Sequence, residues 1–134
     1  MRDLHNEVKV SKALATTAIS SDTNTDGEVI DMAGYKSCEF VILSATLTDG
    51  TYTPAVLESD ASDMSGATAA AAADLLGTVA GATFAAANDG AVKKLGYRGS
   101  KRYVKLRVTS ASTTSGGTVS AVCIQSEPAY APVS

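Results

Sequence analysis

The chain has 134 residues, 45% of them hydrophobic but only 5% aromatic, and a net charge of −3. That length suits one domain with a core large enough to stand without metal or disulfide staples. The mild charge favours neither nucleic acid nor a membrane surface. The longest strongly apolar run, residues 40–43, is far too short to span a bilayer, and the charged opening MRDLHNEVKVSK lacks the apolar stretch of a secretory signal.

Residues 1–12 read as an extended N-terminal arm, with Val8 and Val10 alternating with Lys9 and Ser11. Residues 14–20 (LATTAIS) are a short strand, 22–27 (DTNTDG) a turn cluster and 28–32 a brief strand. Residues 37–47 (SCEFVILSATL) form the first firm strand. Their continuous apolar middle suits the centre of a packed sheet. Asp49-Gly50 is a hairpin signal, and 51–58 (TYTPAVLE) returns. Pro54 has no N–H for a ladder, so this strand is expected at an edge or bulged there.

Residues 59–74 turn small and polar and end in five alanines, Ala69–Ala73. Alanine favours helix, but these bury little and show no apolar stripe, so a loop with at most one or two helical turns is expected. A weak strand is expected around Phe84. Residues 88–126 then read as three strands joined by turns at 98–100 and 112–117. Val104, Leu106 and Val108 face inward, and Tyr103, Lys105 and Arg107 face outward. Residues 127–134, with two prolines, read as an extended C-terminal tail. The resulting class is all-β: a single antiparallel β-sandwich over residues 13–126, jelly-roll or immunoglobulin-like.

Charge is unevenly spread. Residues 93–107 hold seven of the eleven Lys and Arg and no acid, whereas residues 22–63 hold nine acids and one base, Lys36. Such poles can meet copies of the chain or a charged partner. A solvated strand face beside solvated turns accounts for the same residues.

Catalytic readings find little support. The lone histidine, His5, lies in a polar arm, and no GxSxG elbow follows a strand. Glu58 with Asp60 or Asp63 could form a hydrolytic pair, but no aromatic platform adjoins them. Residues 22–27 match the first half of an EF-hand loop, yet the twelfth position is Ala33 rather than a bidentate glutamate. A cation site using Asp22, Asn24 and Asp26 outside that motif is the alternative, and a simple turn explains the segment more economically. Tyr97 and Tyr103 interleave the basic run as in single-strand nucleic-acid binders. The remainder of the chain is too acidic to favour phosphate. Sugar stacking would fall to Tyr35, Tyr52 or Tyr130. Cys38 and Cys123 lie in separate strand-like runs. They read as small buried residues, with a disulfide as the alternative in an oxidising compartment. No cofactor or metal is expected, nor a direct nucleic-acid or membrane partner.

Several segments together carry a resemblance: MRDLHNEVKV, TLTDGTYTPAVLESDASD, ADLLGT, VKKLGYRGSKRYVKLRV and SAVCIQSEPAYAP. They resemble small head decoration, or cement, proteins of tailed bacteriophages and prophages. The alanine run departs from that pattern. The resemblance implies a non-enzymatic β-sandwich made in the bacterial cytoplasm and bound to the capsid exterior. Its partners would be the major capsid protein and its own copies, commonly as a homotrimer. It would stabilise the shell by bridging subunits. Arg98, Lys101, Arg102, Lys105 and Arg107 then become candidate contact residues. They would meet an acidic strip on the capsid or the acidic 22–63 half of a neighbouring copy. The alternative is another virion part: a tail or baseplate accessory protein, or a receptor- or carbohydrate-binding sandwich.

Overall fold

The computed structural model describes residues 4–85 and 88–128. After one helical turn, α1 (Leu4–Glu7), come β1 (Lys9–Ile19), β2 (Asn24–Asp26), β3 (Ile30–Asp31), β4 (Tyr35–Leu47) and β5 (Thr51–Ser59). They are followed by β6 (Thr68–Ala69), β7 (Leu75–Leu76), β8 (Phe84–Ala85), β9 (Val92–Tyr97), β10 (Tyr103–Ala111) and β11 (Gly117–Pro128). The first sheet runs β1-β11-β4-β9-β7. The second runs β2-β10-β5-β6, with β3 also on β10 and β8 also on β5. Every pairing is antiparallel.

The all-β sandwich is therefore as expected, and its connectivity selects between the two expected types. β1 pairs with β11, and β4, β5, β9, β10 and β11 lie alternately in the first and second sheets. Within the five- and six-stranded sheets, the runs β1-β11-β4-β9 and β2-β10-β5-β6 wound this way make a jelly roll rather than an immunoglobulin sandwich. Two expected hairpins are thereby corrected. Residues 88–126 are not three neighbouring strands, because β9 and β11 lie in the first sheet and β10 in the second. Leu95 and Tyr97 face Val104, Leu106 and Val108 across one core, and Val119, Ala121 and Cys123 join from β11. Likewise Asp49-Gly50 carries the chain from β4 across to β5. The Asp49 carboxylate accepts backbone N–H bonds from Thr114, Ser115 and Gly116 at 3.0, 3.0 and 2.8 Å. The aspartate caps a distant loop rather than building a two-residue turn.

β4 is central, as its apolar run predicts. Pro54 stands opposite Val108 of β10. Val56, two residues on, turns its carbonyl away from β10 to the Ala70 N–H. Pro54 shares that orientation, so its missing N–H falls on the outer edge between β6 and β8. The alanine run yields one 3-10 turn, Ala72–Asp74, and no α-helix. The expected arm is shorter than 1–12, since β1 begins at Lys9 and pairs with Gln125. Residues 22–27 contain the strand β2 rather than only a turn. β11 runs on to Pro128, and the rest of the expected tail, 129–134, lies outside the described residues.

The sandwich closes along one side at Gly27. Its N–H donates to the Leu106 carbonyl at 2.8 Å, and the Glu28 N–H donates to the Ala13 carbonyl at 2.7 Å. A side chain at Gly27 would collide with that same Ala13 carbonyl, so only glycine lets β1 approach the second sheet here. In the core, the buried Tyr52 hydroxyl donates to the Asp49 carbonyl at 2.8 Å. The Tyr97 hydroxyl donates to Glu58 at 2.6 Å and accepts the Lys101 N–H at 3.2 Å. Cys38 and Cys123 are free, buried thiols. The hydrogen bond to Cys123 and burial both push the Cys38 thiol upward.

Candidate interaction surface

β10 presents one face to the core and turns Tyr103, Lys105 and Arg107 to the other side. There the basic cluster meets acids from the same chain. Arg107 stands directly opposite Asp26 of β2, and its Nε and Nη2 donate to the two Asp26 oxygens at 2.5 and 3.1 Å. The Lys105 ammonium lies 3.1 Å from the same carboxylate. Arg102 grips Asp31 with Nε and Nη2, both at 3.0 Å, and its guanidinium lies over the Tyr103 ring at 5.1 Å. Lys101 reaches Asp60 at 2.7 Å. The expected partner of this cluster, the acidic 22–63 half, thus comes from within the molecule.

These pairs set the local acidity. The Arg107 hydrogen bond, assisted by Lys105, holds the Asp26 carboxyl at about 2 against an opposing effect of burial. Asp31 is lowered chiefly by Arg102. Exposed pairs of this kind contribute only about 0–1 kcal/mol each. Lys105 and Asp26 are the more sheltered pair, their side chains 18% and 36% exposed. Four of the five candidate contact residues are therefore engaged internally. The fifth, Arg98, is exposed on the crossing between β9 and β10 and has no ion pair among the described residues.

The other sequence-derived candidates do not converge. Asp22 accepts the Thr113 N–H and Asn24 accepts the Thr109 hydroxyl, both at 2.8 Å, while Asp26 faces the basic pair. Three oxygens aimed at three different partners do not form a cation cradle. Glu58 takes the Tyr97 hydroxyl, Asp60 takes Lys101, and Asp63 accepts the Ser65 N–H and hydroxyl. Tyr97 and Tyr52 are fully buried, which removes them from stacking on bases or sugars. Tyr35 is half-buried, and Tyr130 lies outside the described residues. No helix among the described residues is long and apolar enough to cross a membrane.

The outer face of the first sheet has the opposite chemistry. One row runs Val10–Ile124–Glu39 across β1, β11 and β4. The next runs Lys12–Val122–Val41–Lys94 into β9, and a third runs Ser120–Leu43–Val92. Val10 and Val92 are 62% and 61% exposed, Leu43 is 39% exposed, and Val41, Val122 and Ile124 are half-buried. Glu39 and Leu76 lie over Gly96 beside this patch. Burial there raises the Glu39 carboxyl, and Lys94 partly offsets the shift. Sequence reasoning on the basic cluster missed this surface. Its signal was present: β4 reads as apolar on both faces, and β11 places Val122 and Ile124 opposite the core-facing Val119, Ala121 and Cys123.

No protein-family model matches the chain, and no curated protein matches it. Among solved structures it is similar to the SPBc2 prophage-derived protein YomS, with 14% identity and a TM-score of 0.51 over 89% of this chain and 92% of that one. It is also similar to the PBSX exported protein XepA, with 15% identity and a TM-score of 0.57 over 100% of this chain and 41% of that one. The chain thus spans less than half the length of XepA. At these identities the likeness is one of fold, shared with two prophage-derived proteins.

Proposed function

We propose that the chain is a structural protein of a tailed-bacteriophage or prophage virion that decorates the capsid exterior. The observation that carries this reading is the jelly roll itself. It matches a prophage-derived protein over nearly the full length of both chains, and the segments quoted above resemble head decoration proteins. The protein acts by contact rather than by chemistry. Each copy bridges major capsid subunits and adds buried interface, so the shell better resists outward pressure. Individually weak bridges sum because the shell presents its sites at high local concentration. The paired cations of β10 offer a rigid, nearly charge-balanced surface, and Arg98 offers an additional charge for steering.

Purified protein mixed with undecorated, expanded shells should bind to saturation at a fixed ratio per capsid subunit. Cryo-electron microscopy should then show density on the head exterior, and the grouping of copies around threefold positions can be read from the same maps. Absence of uptake by expanded shells would overturn the reading, and labelling confined to the tail would replace it with a tail-accessory role.

A further inference from the structure

Val41 and Val122 stand directly opposite each other in the middle of the first sheet's outer face. Ile124 lies one row to one side and Leu43 one row to the other. Glu39 precedes Val41 by two residues on the same strand, and Lys94 is the direct neighbour of Val41 on β9. Glu39 and Lys94 are therefore diagonal neighbours beside an aliphatic centre. Lys12, at the far edge of the row, is already occupied by Glu28 at 3.4 Å.

We propose that this face binds a second copy of the chain, sheet against sheet, about a two-fold axis passing over Val41 and Val122. Such an axis exchanges the two diagonal positions. Glu39 of each copy then meets Lys94 of the other, and Ile124 meets Leu43. An isologous interface must be complementary to itself, and this arrangement satisfies both its apolar and its charged members. A uniformly acidic or uniformly basic partner would leave one of the two charges opposed by its own sign. The strands of the two sheets cross steeply, one of the arrangements that packed sheets adopt. With strands about 4.8 Å apart, four strands and three outward rows cover roughly 400 Å² per copy. That is half of the about 800 Å² per partner found in standard stable interfaces, so the pair is weak and depends on concentration. This inference goes beyond capsid binding and does not require a shell.

Sedimentation equilibrium over a concentration series, without shells, tests it. Wild-type protein should move from monomer mass towards dimer mass as concentration rises. Val41→Lys should weaken self-association at least tenfold while leaving the circular dichroism spectrum and thermal midpoint in place. Glu39→Lys and Lys94→Glu should each abolish pairing alone, because like charges then meet twice. An equimolar mixture of those two variants should restore it, since each then faces the opposite sign. That restoration cannot arise from an effect within one chain, and it decides the matter even if Val41→Lys misfolds. A wild type that stays monomeric throughout, an association indifferent to Val41→Lys in a folded variant, or a mixture that fails to associate would each overturn the proposal.

Discussion

On the second sheet, Arg107 and Lys105 share Asp26, and Arg102 holds Asp31. On the first sheet, Val41, Val122 and Ile124 look outward and are only half-buried. The charged surface has found its partners inside the molecule. The aliphatic surface has no such remedy, because water offers nothing that a methyl group gains by meeting. Burying one such side chain fully is worth about 1.5–3 kcal/mol, and part of that gain is still unclaimed here. The difference teaches that density of charge along a sequence is a poor guide to where a protein remains unsatisfied. What matters is whether the complementary group lies elsewhere in the same fold.

Three changes would break or sharpen this contrast. The largest effect is expected from Gly27→Ala, which sets a methyl against the Ala13 carbonyl where the two sheets join. A loss of roughly 2–4 kcal/mol in urea unfolding is expected; a loss under 0.5 kcal/mol would mean that the side of the sandwich gives way easily. Next comes Asp26→Ala, which leaves Lys105 and Arg107 adjacent without a shared anion, at a cost of about 1 kcal/mol after allowance for solvent screening. The same carboxylate predicts an acid limb. Its folded value of about 2 lies below the ordinary 3.8, so its contribution is fully present above about pH 4. It fades as pH falls through about 2, and the variant's stability profile should be flatter than wild type over that range. The smallest effect is expected on the other face. Val41→Thr should change monomer stability by less than about 0.5 kcal/mol, as measured by thermal denaturation at a concentration below association. A larger loss would show that this face already serves the monomer.

The strands themselves were legible in the sequence. Alternation in Val104, Leu106 and Val108, the apolar run of β4 and the missing donor at Pro54 all report local geometry, and local geometry is what a short segment encodes. Pairing was not legible. Alternation shows that a strand has a buried face, but a strand across the core satisfies that face as well as a strand beside it. Asp49-Gly50 therefore read as a hairpin although Asp49 serves the loop at 114–116. The candidate site failed for a related reason. Asp26 and Arg107 are 81 residues apart, and nothing in either segment names the other. The first sheet's outer face was partly legible, because two apolar faces on one central strand imply two covers, and the sandwich supplies only one.

The placement of β11 between β1 and β4 has a consequence for how the molecule is made. β1 and the central strand of the first sheet, β4, have no mutual contact in the ladder; β1 waits for β11, and β4 has only β9 beside it until β11 arrives. A nascent chain that has emerged only as far as residue 116 therefore leaves β1 without a ladder partner and one side of β4 open. Completing the first sheet must await β11 and then join strands far apart in the sequence, a route that is intrinsically slow and exposed to aggregation. The outer face of the first sheet becomes competent for a partner only then, so a chain that lacks β11 never presents that surface finished.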